Sequence, residues 1–92
     1  MQIGMHFKIY GRVQGVCYRQ TTQKVARNHR LTGWVRNLDD PTVVEAKVFG
    51  HPDDVDFIRA WFYEGPPLAK VDQVIETPIS YETHQDFDIL VR

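Results

Sequence analysis

The sequence predicts an α+β fold in which two helices cover one face of an antiparallel sheet. Several segments alternate apolar and polar residues, as strands do, and two others space their apolar residues as helices do. The segments follow the order β-α-β-β-α-β, with one further strand at the C-terminus, which favours a two-layer sandwich. At 92 residues the chain is expected to form one domain, residues 1–92.

The first strand and helix enclose a loop that contains glycines. Met5, Phe7 and Ile9 share one side of an alternating segment, which is typical of a half-buried strand ending at Gly11. Gly11 and Gly15 then interrupt the alternation. Helical spacing follows at Tyr18, Thr22, Val25, Ala26 and His29. A strand therefore enters the loop and a helix leaves it.

The middle of the sequence predicts a hairpin and a second helix. Residues 34–37 and 43–49 form two strand segments separated by Asp39-Asp40-Pro41, a turn composition. Pro52 and the acids after it suit a helix N-terminus, and the helix should end near residues 65–67. Its apolar stripe comprises Val55, Ile58, Trp61 and Phe62.

Two strands are predicted in the last quarter of the chain. In residues 69–76 the alternation places Val71, Gln73 and Ile75 on one face, and in residues 87–91 it places Phe87, Ile89 and Val91 together. If the last strand forms a hairpin with the fourth, the carboxylate of Arg92 should approach the glycine-containing loop. This is an expectation about the C-terminus.

The predicted topology brings distant residues together. A helix that crosses between the first and second strands makes those strands parallel, so their carboxyl ends lie at the same end of the sheet. The loop that ends at Arg19 should therefore lie beside Asn37, which comes near the end of the second strand.

The loop has the composition of an anion site, although such loops are more often purely structural. Glycines allow backbone N–H groups to converge, and the helix that follows presents the positive end of its dipole. The Gly-Lys-Ser/Thr of a Walker loop and the three glycines of a dinucleotide fingerprint are absent. Cys17 lies too near Arg19 to bracket a thiol phosphatase loop, and is interpreted as a small apolar filler.

Arg19 and Asn37 are the candidate reactive side chains. Arg19 falls where the loop becomes helix, where a guanidinium can donate two hydrogen bonds to phosphate; the alternative is a solvated arginine. Asn37 can accept a hydrogen bond from water and donate one to an oxyanion, whereas most asparagines in such a place only shape turns.

Composition argues against several other classes. A net charge of −1 gives no general attraction to nucleic acid or membranes, and the histidines lack the spacing of metal ligands. A single cysteine cannot form an internal disulfide, and no apolar run resembles a signal or a membrane span. A cytoplasmic protein without a metal site is expected, and we also expect a monomer.

Two segments resemble the paired signature of the acylphosphatase family. They are Gly-Arg-Val-Gln-Gly-Val-Cys-Tyr-Arg at residues 11–19 and Leu-Thr-Gly-Trp-Val-Arg-Asn at residues 31–37. The resemblance extends over essentially the whole chain and implies a ferredoxin-like sandwich. It also implies hydrolysis of acyl phosphates to a carboxylate and inorganic phosphate, with no metal or cofactor.

The resemblance assigns roles to residues. It implies that Arg19 and the loop backbone bind the phosphoryl oxygens and that Asn37 orients the attacking water. The phosphate-binding residues would be Gln14, Gly15, Val16, Cys17, Tyr18 and Arg19. No general base is evident, so the substrate phosphate is expected to take the proton of the water.

Two departures from the family pattern and two rival functions remain open. Asp40-Pro41 stands where Asp-Gly is usual, so the turn type must differ, and Cys17 stands beside Arg19, where its modification would block the site. The first rival is a binding module, for RNA or for a small regulatory molecule, and the second is an acylphosphatase-like domain that binds anions without turnover.

Overall fold

The order of helices and strands agrees with the prediction. The protein is described here by a computed structural model that covers residues 1–91. Its elements are β1 (Ile3–Arg12), α1 (Tyr18–Asn28), β2 (Thr32–Asn37), β3 (Val43–Gly50), α2 (Pro52–Glu64), β4 (Lys70–Ile79) and β5 (Phe87–Ile89). Two helices packed against a five-stranded sheet give the predicted α+β sandwich.

The sheet has the strand order β4-β1-β3-β2-β5. Three neighbouring pairs are antiparallel, and β2 and β5 are parallel. Because β1 and β2 are both antiparallel to β3, they are parallel to each other, as predicted. Their carboxyl ends therefore lie at one end of the sheet, beside the start of β3. We call this the site end.

The expected hairpin between the last two strands is wrong. β5 pairs with β2, at the opposite side of the sheet from β4. The N–H of Gly33 donates to Asp86 O at 3.0 Å, and that of Leu90 donates to Val35 O at 2.9 Å. β4 thus stays at one edge of the sheet with β1 as its neighbour, and β5 extends the sheet at the other edge. The expectation about the Arg92 carboxylate lies outside the described residues.

A bulge changes the predicted faces of β4. The register between β1 and β4 shifts at Gly11, which pairs with Val71, whereas Tyr10 pairs with Gln73. Val71 and Val74 therefore both pack on the core, and Ile75 is exposed on the other face, so the predicted grouping was wrong. Val91 is also exposed and lies beyond β5.

The core lies between the helices and one face of the sheet. Phe7 from β1 and Phe62 from α2 are fully buried, with ring centroids 4.8 Å apart. In α1 the predicted helical stripe is confirmed: Tyr18, Thr22 and Ala26 are buried. The Thr22 hydroxyl donates to Tyr18 O at 2.7 Å, so it is not left unpaired.

Gly33→Ala is expected to lower the free energy of unfolding by about 2 kcal/mol or more. Gly33 has a φ of +130°, and a Cβ there would lie 2.0 Å from Lys47 O, a backbone atom of the paired strand. Gly15→Ala is the comparison, because at Gly15 (φ +74°) a Cβ would meet no atom of the described chain within 4 Å. Urea denaturation measures the free energy of unfolding of both variants. Equal losses of stability in Gly33→Ala and Gly15→Ala would contradict the steric explanation.

Candidate active site

The loop between β1 and α1 has the backbone of an anion-binding site. Gly15 has a φ of +74°, and Cys17, the residue that caps α1, has φ 64° and ψ 23° in the left-handed region. Left-handed residues that alternate with ordinary ones are typical of nests, in which successive N–H groups converge on an anion. A non-glycine residue in the left-handed conformation lowers the stability of the fold by about 1 kcal/mol, so other contacts of the loop must offset this cost at Cys17.

The N–H groups of residues 14–19 donate to no backbone carbonyl within residues 1–91. The first turn of α1 contains no acid, whereas that of α2 contains Asp53 and Asp54. The positive end of the α1 dipole is therefore left without a nearby carboxylate from its own first turn. An anion bound at the loop would accept hydrogen bonds from these N–H groups and would lie at the positive end of the α1 dipole.

Arg19 is half-buried on the first turn of α1. No ion pair or hydrogen bond from its guanidinium to another described residue is present, in contrast to Arg27 on the same helix, which pairs with Asp86 at 2.8 Å. A cation at a helix N-terminus opposes the dipole, so Arg19 is better placed for an external anion than for helix stability.

Apolar side chains anchor the loop to the core. Val13 is buried, Val16 packs on the core, and Tyr18 is almost fully buried. The Tyr18 hydroxyl donates to Phe62 O at 2.6 Å, and burial raises the pKa of Tyr18. At Tyr18 and Val16 only the backbone is thus available to a phosphate, which agrees with the role that the resemblance implies.

The interpretation of Cys17 as an apolar filler was wrong. Its side chain is exposed, because the left-handed backbone at the start of α1 turns this residue away from the core. Alternation and helical spacing carry no information about a single left-handed residue. Cys17 therefore lies in the loop at the surface, next to two residues whose side chains anchor it.

Asn37 lies on the face of the sheet that carries the helices. It pairs in register with Val44, which is fully buried on that face, whereas Arg36 points to the open face. Asn37 is half-buried, and its Oδ1 atom is buried with no hydrogen-bond partner within the described chain. Buried amide oxygens are nearly always paired, so this one is an unused acceptor at the site end.

The turn after Asn37 differs from the usual hairpin turn. The Val43 N–H donates to Asp40 O at 3.1 Å, with Pro41 between them, and no residue from 38 to 42 has a positive φ. This excludes the I′ and II′ turns and fits a type I turn with proline at its second position. The Asp40 carboxylate accepts hydrogen bonds from the Thr42 hydroxyl and N–H, which lower the pKa of Asp40.

Gln14 connects the loop to this turn. Its side-chain Nε2 lies 3.0 Å from Leu38 O, 3.0 Å from Asp40 O and 2.9 Å from Val43 O. Leu38 directly follows Asn37, so the loop and Asn37 come together as the topology predicted. Sequence reasoning assigned Gln14 a role through its backbone alone and missed these side-chain contacts.

The open face behind Asn37 carries a charged cluster. Glu45 Oε1 accepts from Arg36 Nε at 2.7 Å, and Glu45 Oε2 lies 2.7 Å from His6 Nε2. Burial raises the pKa of Glu45, but the hydrogen bonds from His6 and Arg36 outweigh that effect and leave the pKa below its ordinary value. The Arg36 guanidinium also lies 5.2 Å from the centre of the Trp34 ring.

Glu45→Gln is expected to lower the stability at neutral pH by about 1–2 kcal/mol. A carboxylate whose pKa is lowered by folding stabilises the protein above its ordinary pKa of 4.5, and this contribution is lost as the pH falls further. The difference between parent and variant should therefore shrink below pH 4.5. Urea denaturation from pH 7 to pH 3 measures this difference in the free energy of unfolding, and Glu64→Gln, at an exposed position, is the control. A difference between parent and Glu45→Gln that does not change with pH would refute this explanation.

A cavity lies away from the loop. A polar cavity of about 210 Å³ is lined by Asn28, His29, Arg30 and Asp54, at the opposite end of α1 from the loop. Within residues 1–91 no group of three or more His, Cys, Asp and Glu side chains could hold a metal ion. None of the described helices is long and apolar enough to cross a membrane.

Comparisons with known proteins agree with the fold. The acylphosphatase family model matches residues 5–89. An acylphosphatase of Thermococcus kodakarensis is 47% identical over 73 residues, which are 79% of each chain. The structure of an acylphosphatase from Coxiella burnetii superposes with a TM-score of 0.93 at 36% identity, over 97% of this chain and 93% of that one.

A third relative is also similar in sequence and fold. The crystal structure of acylphosphatase from Bacillus subtilis has a TM-score of 0.91 and 33% identity, and the match covers 98% of this chain and 99% of that chain. Sequence and structure are thus similar over nearly the full length of each partner. With a strand, a nest-like loop and a helix in the places the two motifs require, this chain belongs to the acylphosphatase family.

Proposed function

We propose that this chain hydrolyses the carboxyl-phosphate bond of acyl phosphates at the site end of the sheet. Membership of the acylphosphatase family supports the reaction. One observation supports the location: Arg19 has no partner in the described chain and stands beside N–H groups of residues 14–19 that donate to no backbone carbonyl. Together these groups form a positively polarised loop.

The loop binds the phosphoryl group in this proposal. The backbone N–H groups and the Arg19 guanidinium donate to its oxygens, and both interactions are charge-assisted. Phosphoryl transfer needs chiefly positioning and stabilisation of charge on these oxygens, which is what such donors supply. Gly15 leaves space for the close approach, since a Cβ there would meet no atom of the described chain within 4 Å.

Asn37 positions the water in this proposal. The Oδ1 atom, which has no partner in the described chain, accepts a hydrogen bond from the water, and the amide N–H₂ group can face a phosphoryl oxygen. The water oxygen forms a bond to phosphorus as the bond from phosphorus to the acyl oxygen breaks. The carboxylate leaves with that electron pair, and the proton of the water passes to a phosphate oxygen.

The proposed reaction needs no general base from the protein. The carboxylate is a good leaving group, and the phosphate dianion of the substrate can accept the proton of the water. The pH dependence of kcat is therefore expected to follow ionisation of the substrate rather than of a side chain. A profile that requires an enzyme group titrating near neutrality, with several substrates of different ionisation, would contradict this step.

We also propose where and in what state the enzyme acts. It is a cytoplasmic monomer of one domain that needs no metal, cofactor or nucleic acid. The single exposed Cys17 suits a reducing compartment, and the net charge of −1 favours no polyanion.

One assay separates the proposal from its two rivals. Purified protein is expected to hydrolyse benzoyl phosphate in excess EDTA, and inorganic phosphate should inhibit the reaction competitively. Binding of phosphate without turnover would indicate an anion-binding domain of the same family. Failure to bind phosphate together with binding of single-stranded RNA would instead support the nucleic-acid module.

A further inference from the structure

The Gln14 side chain makes an unusual set of contacts for a loop residue. Its amide nitrogen lies within 3.0 Å of three backbone carbonyl oxygens, those of Leu38, Asp40 and Val43. An amide N–H₂ group has two hydrogens, so at least one is shared between acceptors. The group therefore sits at the centre of the turn that joins β2 to β3.

The three carbonyls belong to the turn that the Asp40-Pro41 pair creates. Asp40 O accepts from the Val43 N–H, and Val43 O accepts from the Leu38 N–H, both at 3.1 Å. A side-chain donor from outside the turn adds to these backbone hydrogen bonds. Gln14 supplies that donor from the first residue of the phosphate loop.

The contact also has a mechanical consequence. The backbone of Gln14 begins the phosphate loop, and its amide holds Leu38, the residue directly after Asn37. A second link, from the Gly11 N–H to Thr42 O at 2.9 Å, ties the start of the loop to the same turn. The Gln14 side chain therefore helps to set the separation between the loop and Asn37.

We infer that Gln14 is a positioning residue, whose side chain fixes the phosphate loop at the correct distance from Asn37. The inference rests on the proposed function. Its side chain does not touch the substrate. It acts through Asn37, so its loss should slow the chemical step while the loop continues to bind phosphate.

Gln14→Met is the primary variant, because it keeps the length of the side chain, adds no charge and removes both donors. Misplacing a reacting group by about 1 Å can cost as much as 10²-fold in rate, so we expect kcat to fall by about 10–100-fold. The inhibition constant of inorganic phosphate should change by less than about threefold.

Gln23→Met is the matched control. Gln23 Nε2 also donates to a backbone carbonyl, Phe87 O at 2.9 Å, but this bond joins α1 to β5 away from the turn. Its loss should leave kcat within about twofold of the parent. Thermal denaturation of both variants separates a loss of stability from a loss of rate.

A double-mutant cycle with Asn37→Ala tests the route of the effect. If Gln14 acts through Asn37, adding Gln14→Met to Asn37→Ala should lower kcat little further. Gln14→Asn, whose amide is one methylene short of the turn, is expected to show the same loss and serves if the methionine variant does not fold.

Three outcomes would overturn the inference. They are a kcat for Gln14→Met equal to that of Gln23→Met, a phosphate inhibition constant that rises as kcat falls, and losses that multiply in the double variant. An inactive parent protein would refute the proposed function instead, so the two failures can be told apart.

Discussion

Arg19→Ala is expected to lower kcat/KM for benzoyl phosphate by about 10³-fold and to abolish inhibition by inorganic phosphate. Arg19 is the one charged residue among residues 14–19, and no described residue pairs with its guanidinium. The neutral N–H groups of the loop cannot replace a positive charge as the phosphoryl oxygens gain charge in the transition state.

Arg27→Ala is the control for this prediction. Arg27 lies on the same helix, but its guanidinium pairs with Asp86 at 2.8 Å on the exposed surface, an interaction that contributes little. Steady-state kinetics and phosphate inhibition should be unchanged in that variant. Comparable losses in both variants, or persistent phosphate inhibition in Arg19→Ala, would remove Arg19 from the binding site.

Asn37→Ala should show a different kinetic pattern. We expect kcat to fall by about 10²–10³-fold, because the attacking water loses the group that orients it. Phosphate inhibition should persist, since Arg19 and the loop are intact. Parallel losses of kcat and of phosphate affinity would mean that Asn37 binds the phosphoryl group rather than the water.

Stability provides a second readout for Asn37. Its Oδ1 has no hydrogen-bond partner in the described chain, so the amide oxygen satisfies no other group of the fold. Removing the amide should therefore leave the free energy of unfolding unchanged or increase it, although activity is lost. Asn28→Ala, at the other end of α1, is the control and should retain full activity. A large loss of stability in Asn37→Ala would assign the residue a structural role.

The local parts of the fold were predictable because they follow from short-range patterns. Met5, Phe7 and Ile9 alternate, and all are buried in β1. Tyr18 and Ala26 recur at helical spacing and bury one face of α1. The parallel arrangement of β1 and β2 follows from a crossover helix, so the approach of the loop to the end of β2 was also predictable.

The sequence by itself thus determined the element order, the two-layer architecture and the approach of the loop to the end of β2, because hydrophobic periodicity and the geometry of a single crossover connection decide them. Only the tertiary structure decided that β5 pairs with β2, that a bulge puts Val74 on the core, and that Cys17 is exposed. It also decided that Gln14 reaches the carbonyls of a distant turn. These features depend on which strand edge, backbone angle or acceptor is available once the whole chain has packed, and no short segment encodes that.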